Sequence, residues 1–74
     1  MIEIFSKPAC PYCVKARSLC EQQGYKFEYK MLDEDFTREE LFEQFPTART
    51  FPQIRIDGHA IGGYDNLLEW HLNK

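Results

Sequence analysis

The chain opens with a short alternation: in "IEIF" (Ile2–Phe5) apolar and acidic residues take turns, which reads as a strand. Ser6 to Ala9 read as a loop. From Pro11 the period lengthens, and Val14, Ala16, Leu19, Cys20 and Gln23 follow at helical spacings. Pro11 suits a first helical turn, where its missing N–H is not needed, and Gly24 supplies a C-terminal stop. "YKFEYKML" (Tyr25–Leu32) returns to period two, with Phe27, Tyr29 and Met31 on one face of a second strand. Thr37 followed by Glu40 has the pattern of a capping box, ahead of a helix with Leu41, Phe42 and Phe45 as its apolar stripe and Pro46 just beyond its end. Gln53 to Asp57 reads as a third strand, Asp57-Gly58 as a tight turn, and His59 to Gly63 as a short fourth strand antiparallel to the third. "YDNLLEWHLNK" closes the chain as a helix whose apolar side is Leu67, Leu68, Trp70 and Leu72.

The resulting order is β-α-β-α-β-β-α. The first βαβ unit should be parallel with a right-handed crossover, and the terminal hairpin is antiparallel. One mixed four-stranded sheet flanked by three helices accommodates both, an α/β architecture. No linker, internal repeat or low-complexity segment interrupts it, so residues 1–74 read as one domain. With 43% hydrophobic and 28% charged residues, the composition favours a packed core over disorder. The formal net charge is −3 and no Lys/Arg-rich run occurs, which argues against nucleic acid as a partner. No stretch approaches the ~20 apolar residues of a membrane span, and the N-terminus lacks the pattern of a secretory signal. These features lead us to expect a cytoplasmic monomer. The acids from Asp33 to Glu43 read as a solvated helix and its capping charges.

Three cysteines, Cys10, Cys13 and Cys20, carry the candidate chemistry. An odd number does not suit a secreted disulfide scaffold. A Cys10–Cys13 bridge would close a very short loop, which stabilises little. In a reducing compartment such a pair is redox-active or metal-binding. Cys10 falls at or near the N-cap of the first helix, where free N–H groups and the positive end of the helix dipole favour thiolate, the nucleophilic form. Lys7 adds positive charge upstream. Cys13 lies about one turn further in, less exposed yet within reach of Cys10, as thiol–disulfide exchange requires of an attacking and a resolving thiol. A structural zinc would need two more ligands, and Cys20, His59 and His71 form no second unit of suitable spacing; no metal is expected. Cys20 reads as a small buried hydrophobe.

"CPYC" (Cys10–Cys13), "TFPQI" (Thr50–Ile54) and "IGGYDNL" (Ile61–Leu67), in that order, resemble the glutaredoxin family over essentially the whole chain. The resemblance implies the minimal glutaredoxin form of the thioredoxin fold and a glutathione-dependent thiol–disulfide oxidoreductase. Cys10 would be its nucleophile and Cys13 its resolving thiol. No tightly bound cofactor is implied; glutathione would be the co-substrate, and disulfide-containing or glutathionylated proteins the partners, with ribonucleotide reductase one candidate. By the same resemblance Pro52 would be cis, and the Phe51 backbone, with Thr50 beside it, would pair with glutathione. Phe51 departs from the valine usual in the family. The helix start at Gly63, Tyr64, Asp65 and Asn66 would take the γ-glutamyl end; Asn66 stands where relatives commonly carry a second aspartate. Lys7, then Arg49, would meet the glycyl carboxylate, and Tyr12 would flank the tripeptide. Two rivals stay open: a same-fold protein reduced by thioredoxin reductase, and an iron–sulfur protein holding its cluster on Cys10 and glutathione.

Overall fold

The computed structural model describes residues 1–74. Its elements are β1 (Ile2–Ser6), α1 (Pro11–Gln23), β2 (Phe27–Met31), α2 (Arg38–Gln44), β3 (Gln53–Ile56), β4 (His59–Gly62) and α3 (Tyr64–Leu72), the order expected from the sequence. They build one mixed sheet of strand order β2-β1-β3-β4. β1 and β2 run parallel, while β1–β3 and β3–β4 are antiparallel.

β1 is a central strand with apolar residues on both faces, and each face receives its own core. Ile2 and Ile4 join Ile54 and Ile56 of β3 against Ala16 and Cys20 of α1 and Leu67 of α3. On the opposite face Phe5 packs with Leu32, Phe36, Leu41 and Phe45, so α2 covers that side. The Phe36 and Phe45 rings meet Phe5 edge-on at centroid distances of 5.1 and 5.2 Å, the geometry that aromatic quadrupoles favour.

The local signals hold where they rest on caps and turns. Thr37 Oγ1 accepts the Glu40 N–H at 3.1 Å and Glu40 returns the bond to the Thr37 N–H at 3.0 Å. Gly24 ends α1 in the left-handed region. Asp57 and Gly58 both have positive φ, so Asp57 belongs to the hairpin turn and β3 stops at Ile56. Two helical expectations need correction. Phe42 is not part of the buried stripe of α2: it is 46% exposed, because Leu41 and Phe45 fill the inward positions. Val14, placed in α1 as expected, points outward, a direction its spacing alone left open, since Cys13, Ala16 and Cys20 take the inner face of α1. Leu72, in the last turn of α3, is 71% exposed, past the point where the sheet can cover it. Tyr25 lies outside β2 and turns instead to α3, its hydroxyl 2.6 Å from His71 Nδ1.

The antiparallel and parallel registers together decide where function can lie. Ser6 pairs with Met31, Phe5 with Gln53, and Ile54 with Gly62. The end of β1, the end of β2, the start of β3 and the end of β4 therefore share one end of the sheet. The loop into α1, the loop into β3 and the turn into α3 all emerge there.

A charge cluster ties the three neighbouring strands β2, β1 and β3. Glu3 accepts bonds from Lys30 Nζ at 2.8 Å and from Arg55 Nε and Nη2 at 2.8 and 2.6 Å, and Arg55 Nη1 reaches Gln44 of α2. The bonded Arg55 guanidinium, with Lys30 adding to it, holds the Glu3 carboxyl at about 2 against its ordinary 4.5, although burial opposes this. Arg55 is correspondingly shifted upward by Glu3. A carboxyl depressed in the folded state contributes stability that is complete above its unfolded pKa of 4.5 and fades as pH falls toward 2. Glu3→Gln is therefore expected to cost on the order of 1–3 kcal/mol near neutral pH and much less near pH ~2. Urea unfolding of both proteins across that range checks it; equal stabilities near neutral pH would contradict it.

Candidate active site

Ala9, at a left-handed φ of +57°, turns the chain from the β1 loop into α1. Cys10 is the N-cap, in extended conformation, and its Sγ accepts the Cys13 N–H at 3.3 Å. Pro11 occupies the first helical position, and Val14 N–H closes the first turn on the Cys10 carbonyl at 3.2 Å. The two cysteine Cα atoms are 5.3 Å apart and their sulfurs are joined as a disulfide. Cys13 is fully enclosed, whereas Cys10 retains 8% exposure. An incoming group can thus reach Cys10 and not Cys13. The first turn of α1 carries no acid, so nothing there counters the positive helix terminus on which a Cys10 thiolate would sit. Cys20, on the same helix, is different: enclosed in the apolar core, its thiol is pushed by burial to about 11, which keeps it protonated and inert.

The neighbouring loops form a groove beside this turn. The Phe51–Pro52 peptide bond is cis, Pro52 is fully buried, and Gln53 Nε2 donates to the Thr50 carbonyl at 2.7 Å, fixing the loop. A Cβ placed on Gly63 would lie 3.5 Å from the Pro52 carbonyl oxygen, so the start of α3 abuts the proline loop. Between them runs a groove of about 350 Å³ lined by Tyr12, Thr50, Phe51, Pro52, Gly63, Tyr64, Asp65 and Asn66. The Tyr12 and Tyr64 rings stand 6.1 Å apart across it. Asn66 Oδ1 accepts the Gly63 N–H at 3.1 Å, a bond from the third helical position back to the N-cap, and no side chain caps the free N–H groups of the first turn of α3. Asp65 is exposed on the same turn.

Eight of the ten non-cysteine residues singled out from the sequence therefore share one groove. The other two do not line it. Lys7 sits over the Phe51 ring at 5.7 Å and lines a second groove on the far side of Cys10. Arg49 lines a small cleft against Arg38, Leu41 and Phe42 of α2, joined to the first groove only through Thr50 and Phe51. The second groove, about 570 Å³, includes Pro8, Cys10, Val14, Arg17, Tyr29 and Met31. Sequence reading missed it, because it needs the end of β2 to lie beside the start of α1. The usable signal was Val14, an apolar residue one position off the buried face of its helix.

The sequence profile of the glutaredoxin family matches residues 2–61, which includes both cysteines and the proline loop. The chain belongs to the glutaredoxin family. It is 37% identical over 67 residues to a probable glutaredoxin of Synechocystis, covering 89% of this chain and 62% of that protein's length, so the comparison spans less than two thirds of the relative. In structure it is similar to reduced glutaredoxin of Escherichia coli, with a TM-score of 0.84, 31% identity and coverage of 99% of this chain and 94% of that one. The crystal structure of a buckwheat glutaredoxin–glutathione complex is similar at a TM-score of 0.74 and 29% identity, covering 97% of this chain and 68% of that chain. The likeness at these identities extends to the thioredoxin fold itself. Membership of the glutaredoxin family together with the vicinal Cys10–Cys13 pair supports thiol–disulfide oxidoreductase chemistry.

The groove's far wall depends on Gly62. Its φ is +116°, and a Cβ there would come within 2.5 Å of Asn66 Oδ1. Gly62→Ala should strain the turn and displace the Asn66 side chain, costing ~1–3 kcal/mol. Asn66→Ala, which removes only the bond back to the Gly63 N–H, should cost about 0.5–1.5 kcal/mol. Thermal or urea unfolding distinguishes them; a Gly62→Ala protein as stable as the parent would contradict this account of the turn.

Proposed function

We propose that this chain is a glutathione-dependent thiol–disulfide oxidoreductase acting on glutathione mixed disulfides and protein disulfides. The observation that carries the reading is the exposed-side cysteine as helix N-cap, with Tyr12 of that same helix turn lining a groove whose opposite wall is a second helix N-terminus. A thiolate is favoured at the first terminus and a carboxylate at the second. The tripeptide glutathione carries both a sulfur and, at its γ-glutamyl end, a carboxylate. The glutathione complex of the buckwheat relative supports the same reading.

In the forward direction the Cys10 thiolate attacks one sulfur of the substrate disulfide. A Cys10–substrate bond forms, the substrate S–S bond breaks, and the second sulfur leaves as thiolate and takes a proton from water. With a glutathionylated protein the glutathione sulfur is the one attacked, the protein thiol leaves, and a second glutathione releases glutathione disulfide and restores Cys10. With a protein disulfide, the Cys13 thiolate attacks Cys10 Sγ, expels the substrate's remaining thiolate, and leaves the Cys10–Cys13 disulfide. Two glutathione molecules then reduce it, giving one glutathione disulfide. The two electrons gained by the substrate are the two lost by glutathione.

In this reading glutathione lies along the proline loop, its cysteinyl N–H and C=O paired with the Phe51 backbone and Thr50 and Pro52 shaping the floor. Its γ-glutamyl carboxylate meets the N–H groups of Asp65 and Asn66, the Asp65 carboxylate accepts from the glutamyl ammonium, and Gly63 lets the chain approach closely. Tyr12 and Tyr64 flank the ligand. Lys7, poised over Phe51, is the nearer cation for the glycyl carboxylate and Arg49 the more remote. Phe51 presents its backbone as a valine would, while its ring forms one wall and carries Lys7. A monomer in the cytoplasm, with partners that include disulfide-forming enzymes of the ribonucleotide reductase type, completes the proposal.

Turnover with a glutathione mixed disulfide and with a protein disulfide tests it. Cys10→Ser should lose at least about a hundred-fold on both. Cys13→Ser should keep turnover on the mixed disulfide within about ten-fold and lose it on the protein disulfide. Full activity of Cys10→Ser on either substrate would refute the assignment.

A further inference from the structure

Cys10 itself lines the second groove, where Pro8, Val14, Tyr29 and Met31 offer apolar surface, while the proline-loop groove reaches the same helix turn through Tyr12. That groove measures about 570 Å³ and is separate from the groove that the glutathione reading assigns to the tripeptide joined to Cys10. Its charge is also distinct from that of the whole protein. The chain carries a net −3, yet no acid occurs between Glu3 and Glu21, and the groove's only charged lining residues are Lys7 and Arg17. Arg17 sits over Tyr29, its guanidinium carbon 4.9 Å from the ring centroid. Its Glu21 partner is at 3.7 Å and the side chain keeps 44% exposure, so it remains open to a further anion. Val14, 46% exposed at the first turn of α1, presents its methyl groups beside that cation.

We infer that this second groove docks the protein half of a protein disulfide. Its occupant is an extended segment of the partner with an apolar residue next to the reacting cysteine and acidic residues beyond it. The inference rests on Cys10 being the nucleophile and deepens that reading by adding a selectivity. A chain joined to Cys10 through its own cysteine continues in two directions from the sulfur. One arm lies along Phe51 and Pro52, as glutathione does; the other crosses Val14 and Tyr29 toward Arg17. Glutathione is too short to use the second arm, so the groove raises turnover of protein disulfides alone. The exchange chemistry is unchanged: the Cys10–partner S–S bond forms as the partner's own S–S bond breaks, and its other sulfur leaves as thiolate. Attraction between the basic rim and acidic side chains accelerates encounter and weakens with salt.

Three substrates and two variants test this with the full chain. The substrates are the cysteine–glutathione mixed disulfide and two disulfide-bonded peptides of one scaffold, one flanked by leucine and glutamate, the other by serine and lysine. The parent should turn over the leucine–glutamate peptide at least about five-fold better in kcat/KM than the serine–lysine peptide, with the margin shrinking as salt rises. Arg17→Glu should reduce or reverse that ratio by about five-fold or more, and Val14→Ser should lower it about two- to three-fold. Both variants should stay within about two-fold of the parent on the cysteine–glutathione disulfide. Ratios taken within one protein are insensitive to its folded fraction. A parent indifferent to the two peptides, a ratio unmoved by Arg17→Glu, or equal losses on all three substrates would overturn the inference. Full activity of Cys10→Ser on the cysteine–glutathione disulfide would instead strike the catalytic reading itself.

Discussion

The structure turns on one contact: the Cys13 N–H directed at Cys10 Sγ, 3.3 Å away, at the first turn of α1. A helix leaves its first N–H groups without internal partners, and here the group that answers them is a sulfur. That arrangement makes an ionised sulfur the natural cap. It also orders the two cysteines, because the capping position retains 8% exposure and the position one turn later is fully enclosed. The remaining architecture holds that turn still. Ala16 and Cys20 lock α1 onto Ile2, Ile4, Ile54 and Ile56, and Leu67 of α3 closes the same core. A shift of α1 would have to open this apolar cluster, so the sulfur's position is set by burial several residues away.

Topology supplies the rest of the site. With β1 central and paired to β2 in parallel and β3 in antiparallel sense, four strand ends meet at one end of the sheet. The proline loop, the helix-opening turn at Gly63 and the Cys10 turn are far apart in sequence and adjacent in space for that reason. The same register that brings the proline loop to one side of Cys10 brings Met31 and Tyr29 to the other. The first turn of α1 therefore contributes Tyr12 to a groove walled by a helix terminus and Cys10 to a groove with two cations, Lys7 and Arg17. In the proposed reaction a small thiol ligand and a longer protein chain make different use of these two surroundings while sharing Cys10 as the reacting sulfur.

The element order, the caps and the turn residues were legible in the sequence because each is a local rule. Thr37 with Glu40, Asp57 with Gly58, and Gly24 after its helix signal their structures within a few residues. The eight groove residues were legible through family motifs, since the spacing of Cys10, Pro52 and Gly63 says nothing by itself about their proximity. What escaped was orientation and register. Phe42 and Leu72 continue apolar helical patterns, yet Phe42 sits off the inward face that Leu41 and Phe45 fill and Leu72 lies exposed at the end of α3. Lys7 and Arg49 are both near the site, but which groove each lines depends on how loops pack. The bonding of Glu3 with Arg55, from strands at opposite ends of the sequence, follows only from the β1–β3 pairing. Ala9 adopts a left-handed φ that its residue type does not advertise.

The central claim is that the α1 terminus holds the Cys10 sulfur ionised in the reduced protein. Titration of the thiolate by its ultraviolet absorbance, comparing the reduced parent with Cys10→Ser, measures this directly. The account predicts a Cys10 transition well below the ~8.5 of an ordinary free thiol, and absent from the variant. A Cys10 that ionises at or above that value would contradict it.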